Sequence, residues 1–563
     1  MARALSLTLA ALSFSANAAA HEETWFAAAE AQADARAALT RPEPGAALVP
    51  LRIVLRDAAS GAEIAGNVRV TTASGALLAL DLAEPRPCEP RPNGWHATAG
   101  AILLQAPPEK LRIEAFQGLE TTIRAREVDL SARVPTTVEL SLARFASAAE
   151  LGLASGNTHL HLMGWPRARV EAYLRDATAA DQLDFAWVSR LERFDSEVPY
   201  TTNELTRGEL ERLSTAATRF GWGEELRHNF GEYSIGYGHV LLLDLERLVQ
   251  PVSIGPVLAG TPHDAPGLAP GMAEARAQAA TVIWAHGQNG YEDLPSWLLG
   301  RVDAQNLFDG AAPGEVLRGD HATYASVYYP LLDVGLAVPF STGTDWFIGD
   351  LARVYVPLAG ERSSEAFLAQ LRAGHSFITN GPLLELDVRG EGPGGSVKLA
   401  APGSVPARAR AIGRASFGAL ELIASGQVVA RADARAVGDH FEAELAQDVA
   451  LDESAWLAAR IAPGEARNEF GKPLFAHSSA VTVEIAGARP FHSDVARALV
   501  LEMDWNARTI RAKGHFASAA QADEVTAPYA EAIDALAPRM TWRDRLQAFA
   551  VRVLRTLKAW LGL

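Results

Sequence analysis

The sequence predicts a mixed α/β fold in which a distorted (β/α) barrel is flanked by β-sandwich domains and followed by a helical C-terminal tail. Three observations support this prediction. The chain has 563 residues, which is too long for one ordinary hydrophobic core. Strand-like and helix-like segments alternate over residues 156–387. Short alternating segments broken by Gly, Pro and Asn predominate on either side, and residues 494–563 have a mainly helical pattern.

The first 20 residues have the pattern of a secretory signal peptide. Arg3 provides a short positive start, residues 4–16 are apolar, and residues 16–18 match an A-x-A cleavage site. The apolar run is shorter than the roughly 20 residues needed to span a bilayer. We therefore expect residues 1–20 to be removed and the mature protein to be periplasmic or secreted.

Residues 48–145 predict an N-terminal β-sandwich. Alternating apolar and polar residues at 51–55, 67–71 and 137–142 are typical of half-buried strands. The segment carries no chemical motif of its own. A structural role and a carbohydrate-contacting role both remain open for it.

Residues 156–387 predict the barrel. The apolar runs at 183–188 and 280–285 are typical of buried strands, and the segments at 169–180 and 272–278 have helical patterns. In such folds the functional sites gather at the C-terminal ends of the strands.

A second β-rich domain is predicted over residues 388–488, with strands at 420–423 and 480–485. The tail at residues 494–563 ends in an amphipathic segment, residues 542–563, whose other sides carry Arg and Lys. This C-terminal helix would make a peripheral contact with an anionic membrane surface or dock on the acidic body of its own protein.

Charge and cysteine content restrict the classes of function. The net charge of −16 argues against a nucleic-acid partner, because phosphate binding requires clustered Lys and Arg. Cys88 is the single cysteine, so an intrachain disulfide is impossible and any metal must be held by His and carboxylates. The expected partner is a small-molecule substrate, and no oligomeric state is predicted.

His159 and His161 form an H-x-H motif at the start of the barrel region. Residues i and i+2 of a strand project from the same face, so both imidazoles can reach one ion. Four further segments place metal-binding side chains beside apolar, strand-like runs. They carry, in chain order, Glu224 and Glu225, His239, His286, and Asp345.

The order of these motifs resembles the metal site of the PHP (polymerase and histidinol phosphatase) proteins. That order is H-x-H, an acidic segment, G-H, A-H at a strand end, and G-[ST]-D. The segments 236–240, 328–332, 338–345 and 374–382 are similar to the CehA/McbA-like branch of this superfamily. The resemblance covers residues 157–388 and implies a PHP-like distorted (β/α) barrel with metal-dependent hydrolase activity.

The resemblance also implies a ligand set for two divalent ions, which would be Zn, Mn or Fe. One ion would be held by four side chains, namely His159, His161, Glu225 and Asp345. The second would be held by Glu225, His239 and His286, so that Glu225 bridges the two ions. The offset of Glu225 from Arg227 and His228 favours it over Glu224.

Two departures from the family pattern predict two ions rather than three. PHP proteins usually carry an Asp-His pair where this chain has Arg190-Leu191, and they usually end in Asp-x-His where this chain has residues 345–347. Both missing histidines belong to the third of the family's metal positions.

The expected reaction is hydrolysis of an ester, amide or carbamate by water that the metal ions activate. Asp345 would serve as ligand and proton acceptor. Arg190 would stabilise a developing oxyanion or, equally, form a surface pair with Glu192 or Asp195. His228 would transfer protons or have only a structural role. Two alternatives are a phosphoesterase with the same binuclear site and a non-catalytic exported protein that binds carbohydrate or cell wall.

Overall fold

The structure is a computed structural model that describes residues 38–43, 45–81, 83, 88–192, 200–228, 236–254, 263–285, 290–307, 329–358, 360 and 362–561. It has a mixed α/β fold with many strands, a curled sheet and a helical C-terminus. The predicted signal peptide, Asp195 and the predicted ligand His286 lie outside the described residues.

The N-terminal region contains two sheets that share one hydrophobic core. The first sheet contains β1 (Leu39–Thr40), β3 (Gly66–Thr72), β4 (Leu77–Leu78), β5 (His96–Thr98), β7 (Lys110–Phe116) and β8 (Arg124–Asp129). The second contains β2 (Val49–Asp57), β6 (Ile102–Ala106) and β9 (Thr136–Leu142). The pairs β2–β9 and β1–β4 are parallel and the other pairs are antiparallel. The three strands expected from alternation therefore exist as β2, β3 and β9.

The central region forms one end of a 16-stranded mixed sheet. Its strands are β10 (Leu153–His161), β11 (Phe185–Arg190), β12 (Arg219–His228), β13 (Gly238–Leu243), β14 (Thr281–Trp284), β15 (Ala304–Asn306), β16 (Phe340–Ser341) and β17 (Asp345–Trp346). Its helices are α1 (Arg167–Ala180), α2 (Arg207–Leu213), α3 (Ala269–Ala277), α4 (Asp293–Leu298), α5 (Tyr329–Asp333) and α6 (Ser364–Arg372). The sheet curls so that β17, which follows the edge strand β16, pairs with β10.

Strand directions differ from the parallel arrangement that the alternating pattern favours. The pairs β10–β11, β11–β12, β14–β15 and β15–β16 are parallel, but β13 is antiparallel to both β12 and β14. Only residues 229–237 separate β12 from β13, fewer than the dozen or so that a parallel crossover requires. The start of β13 therefore lies at the same sheet edge as the end of β12.

The large sheet continues into the second β-rich region. It contains β18 (Arg353–Pro357), β19 (Phe377–Thr379), β21 (Ser396–Leu399), β23 (Ala419–Ala424), β24 (Gln427–Asp433), β27 (Ala455–Ile461), β28 (Ala476–Ser478) and β29 (Val481–Ile485). A separate four-stranded sheet contains β20 (Leu383–Val388), β22 (Gly403–Gly413), β25 (Arg435–Val437) and β26 (His440–Leu451). Because β19 pairs with β28, segments on both sides of the predicted boundary at residue 388 share one sheet.

Three helices form the C-terminal tail, as the sequence pattern predicts. They are α7 (Ser493–Lys513), α8 (Ala519–Leu536) and α9 (Trp542–Leu561). Both α8 and α9 pack against α7. Among the described residues, no helix combines the length and the apolar character needed to cross a bilayer.

A buried ion pair joins the N-terminal region to the central region. The Arg91 guanidinium donates to both carboxylate oxygens of Asp181 at 2.7 and 2.8 Å, and both side chains are 0% exposed. The same guanidinium donates to the Asn67 side chain and, at 2.7 Å, to the Ile348 carbonyl oxygen. Asp181 is the C-cap residue of α1, and Ile348 lies two residues after β17. The N-terminal region therefore holds the segment that follows Asp345.

Candidate metal centre

Four predicted ligands come from three different strands and meet inside the curled sheet. His159 and His161 lie near the end of β10, Glu225 lies in β12, and Asp345 begins β17. All four side chains are buried, and one ligand atom from each lies within 4.8 Å of every other. The group could therefore hold a metal ion.

Distances between the ligand atoms test whether the group fits a cation. His159 Nε2 is 3.1 Å from His161 Nε2, 3.2 Å from Glu225 Oε2 and 3.3 Å from Asp345 Oδ1. His161 Nε2 is 2.8 Å from Glu225 Oε2 and 3.8 Å from Asp345 Oδ1. Four ligands arranged tetrahedrally at about 2.1 Å from one ion would lie about 3.4 Å from each other. The observed distances bracket this value, so the four ligand atoms fit a single metal ion.

The tautomer of His161 is fixed by a backbone contact. Its Nδ1 lies 2.8 Å from the carbonyl oxygen of Ser189, which can only accept a hydrogen bond. Nδ1 therefore carries a proton, and Nε2 is the nitrogen that faces Glu225 and Asp345. Backbone acceptors of this kind commonly orient histidines that bind metals.

Glu225 has contacts on both of its oxygens. Oε2 faces His159 and His161, whereas Oε1 is 2.9 Å from Nδ1 of His239, the second residue of β13. Burial alone would raise the pKa of Glu225, but the three neighbouring imidazoles outweigh burial and hold the pKa well below its ordinary value. Glu225 is therefore a carboxylate placed between two sets of nitrogen ligands.

The predicted ligand at residue 286 is outside the described residues, and the described chain before it pairs with β13, the strand of His239. Ala285, the last described residue before it, donates its backbone N–H to the His239 carbonyl oxygen at 3.1 Å. His239 itself is 2% exposed. Of the five predicted metal ligands that the structure describes, four form one group, and the fifth, His239, contacts that group through Glu225.

Asp345 is held in an unusual backbone conformation. Its φ is +55°, a left-handed value that costs energy for a residue with a Cβ and is found preferentially at functional sites. The backbone N–H of Thr344 donates to the His159 carbonyl oxygen at 3.0 Å, and the Asn157 side chain donates to the Thr344 hydroxyl at 2.8 Å. At Gly343, a Cβ would lie 2.5 Å from the backbone nitrogen of His159. Only glycine fits there without displacing β10.

Three other predicted residues do not join this group. Glu224 points to the opposite face of β12, where it accepts the Val249 backbone N–H at 2.8 Å, and burial raises its pKa to about 9. Arg190 lies beside Glu224 in the strand register, and its guanidinium is 3.6 Å from the Glu192 carboxylate. This ion pair is the alternative to a catalytic role that the sequence left open.

His228 is the third of these residues. It lies on the same face of β12 as Glu224, with its ring centroid 4.0 Å from that of Tyr237. Burial lowers the pKa of His228 to about 3, so this imidazole is neutral. Its contacts are those of a packed interior residue, and they favour a structural role over proton transfer.

Two residues beside the centre were not selected from the sequence. Arg227 is 4% exposed and, two residues after Glu225, lies on the same face of β12. Tyr200 has its ring 5.5 Å from that of His161, and its hydroxyl accepts from Trp346 Nε1 at 3.0 Å. The i+2 spacing from Glu225 is the signal that would have selected Arg227. No local sequence pattern would have selected Tyr200, because it lies 39 positions from His161 in the chain.

The fold and the centre define a mixed α/β protein with a buried His/carboxylate group able to hold a metal ion. The chain matches no protein-family model, no curated protein and no solved structure.

Proposed function

We propose that this protein is an exported metal-dependent hydrolase of the PHP type, similar to the CehA/McbA-like branch, that acts on an ester, amide or carbamate. The observation that carries the proposal is the position of Glu225. Its two oxygens face different ligand sets, His159, His161 and Asp345 on one side and His239 on the other. A carboxylate in that position is suited to bridging two divalent ions.

The chemistry that two divalent ions supply is a lower pKa for water and polarisation of the substrate oxygen under attack. The protein's own residues would orient these events. Ser189 fixes the His161 tautomer, and the segment after β16 holds Asp345 against His159. Asp345 would also accept a proton from the attacking water. The guanidinium of Arg227, on the Glu225 face of β12, would stabilise negative charge on the substrate.

A matched pair of variants tests whether Glu225 binds metal. Glu225→Gln and Glu224→Gln make the same chemical change at adjacent positions of one strand whose side chains point in opposite directions. We expect about two ions per chain in the wild type and in Glu224→Gln, and a loss of bound metal in Glu225→Gln. Elemental analysis of the purified proteins measures this. Equal metal content in the two variants would contradict the proposal.

His239 tests the second position. We expect His239→Ala to retain the ion held by the His159 group and to lose the other, which halves the metal content. The control is His477→Ala, because His477 is a buried histidine whose contacts are with Tyr329 and Ser478. An unchanged metal content in His239→Ala would contradict the assignment of His239 as a ligand.

Turnover tests the reaction class. The metal-loaded enzyme is assayed with p-nitrophenyl acetate, a p-nitrophenyl carbamate and p-nitrophenyl phosphate, and with Glu225→Gln as the inactive control. Hydrolysis of the acyl substrates supports the proposal. Arg227 keeps a phosphoesterase as the second candidate, because a guanidinium also matches a phosphoryl group. A metal-loaded protein that hydrolyses none of the three would favour a non-catalytic binding role.

A further inference from the structure

The C-terminal helix α9 exposes an apolar surface that the described part of the chain does not cover. The described residues include fifteen large hydrophobic side chains that are exposed, and seven of them belong to α9. These seven are Trp542, Leu546, Phe549, Val553, Leu554, Leu557 and Leu561. Phe549 is 64% exposed and Trp542 is 65% exposed. Exposed apolar side chains that are concentrated on one helix in this way indicate an interaction site.

The helix is attached to the body through its opposite side. Ala548 is a buried residue of this helix, and it lies in the core with residues of α7 and α8. Asp544 is 2.9 Å from Arg497 of α7, and Arg552 and Arg555 are 3.0 and 3.3 Å from Asp504 of the same helix. At about 100° per residue, these attachments lie on the side opposite Leu546, Phe549 and Val553. The apolar face therefore lies on the side of α9 that faces away from α7.

Basic side chains border the apolar face. Arg543, Arg545 and Lys558 are exposed, and within the described part of the chain none of them forms an ion pair. The helix carries five basic residues and one acidic residue, so its formal charge is +4, whereas the whole chain has −16. A cationic, amphipathic segment is therefore presented on an acidic protein.

We propose that α9 binds the surface of an anionic lipid bilayer, with its axis in the plane of the interface. Apolar side chains on one face and flanking Lys and Arg are the features by which helices bind anionic membrane surfaces. The helix is not apolar enough to cross a bilayer. A second copy is a less favourable occupant, because face-to-face contact would bring two helices of charge +4 together. The sequence also allowed this helix to dock on the acidic body of its own protein. That contact involves the other face of the helix, where Arg552 and Arg555 lie near Asp504.

Vesicle flotation of the full chain tests this proposal, with phosphatidylcholine vesicles that contain or lack phosphatidylglycerol. We expect the wild type to float with the anionic vesicles and to be released by high salt. The double variant Leu546→Glu/Phe549→Glu should reduce the bound fraction about tenfold or more. The matched control is Val134→Glu/Val428→Glu, which changes two exposed apolar residues elsewhere by the same charge and should bind like the wild type. Equal binding by both double variants would overturn the proposal.

A labelled variant locates the contact. Cys88 is buried, so a cysteine introduced at Phe549 can be labelled selectively with an environment-sensitive fluorophore. Its emission should shift to the blue with anionic vesicles, whereas the same label at Val134→Cys should not respond. Sedimentation velocity without lipid tests the second copy. Two results together would refute the membrane proposal and identify a second copy of the chain as the occupant. The wild type would not bind vesicles, and it would form a dimer that Leu546→Glu/Phe549→Glu abolishes.

Discussion

Gly343→Ala should weaken metal binding without changing any ligand. The added Cβ would lie 2.5 Å from the backbone nitrogen of His159, 2.6 Å from its Cβ and 2.7 Å from its carbonyl oxygen. Ordinary contacts of a Cβ begin near 3.4 Å, so His159 and the segment at 343 must separate by about 0.9 Å. All three atoms belong to or adjoin the backbone of β10, and no flexible side chain can absorb the shift.

The magnitude follows from the cost of overpacking, which is typically about 1–3 kcal/mol. Without metal, β10 and the segment that carries Asp345 can relax apart and release part of this strain. Metal binding holds His159 and Asp345 close together, and this restores the steric strain. Because about 1.4 kcal/mol corresponds to a tenfold change in affinity, we expect metal binding to weaken by about fivefold to 150-fold.

Competition with a chromophoric chelator measures the metal affinity of Gly343→Ala. Gly349→Ala is the matched control, because its Cβ would meet nothing within 4 Å although it lies in the same loop region. Circular dichroism checks that both variants fold. If Gly343→Ala bound metal as tightly as Gly349→Ala, the contact of the 343 segment with His159 would not constrain the centre.

Two further predictions concern the stability of the fold. Arg91→Met leaves Asp181 buried without its counter-charge and should lower the free energy of the first unfolding transition by about 3–5 kcal/mol. The control Arg56→Met removes an exposed ion pair with Glu139 and should lower the same free energy by at most about 1 kcal/mol. Denaturant titration measures both, and equal effects would contradict the buried-pair argument. Burial, with a smaller contribution from Glu502, raises the pKa of Asp293 from 3.8 to about 8. The folded protein thus retains a proton that the unfolded chain loses above about pH 4, so this group makes stability fall as the pH rises toward about 8. Asp293→Asn should therefore gain stability relative to the wild type between about pH 6 and about pH 9, and a constant difference across that range would refute the shift.

The convergence of the centre could be predicted because it depends on short-range rules. His159 and His161 share a face through strand alternation, and His239 and Asp345 stand beside apolar runs that form strands. The choice between Glu224 and Glu225 was harder. Residues 223–228 of β12 are all buried, so both faces of the strand end are covered and hydrophobic alternation does not distinguish them.

The same ambiguity explains the placement of Arg190 and His228. Arg190 was selected because it stands where PHP proteins usually carry an Asp-His pair, and His228 because it lies in the same segment as Glu225. Both project from the face opposite Glu225. Local sequence patterns also do not predict which distant strands pair with each other. The contact of β19 with β28 joins strands that lie about 100 residues apart, and it merges two regions that composition had divided at residue 388. The antiparallel β13 could have been inferred from the short connection that precedes it.

The buried contact between Arg91 and the segment that follows Asp345 determines how this chain can be dissected. A fragment of residues 150–563 would retain every candidate ligand, yet it would lose the Arg91 guanidinium that ties Asp181 to the Ile348 carbonyl oxygen, close to Asp345. We expect such a fragment to be recovered without metal. Supplying residues 38–149 as a second polypeptide should restore binding by trans-complementation, as is typical of two halves that share one folding unit.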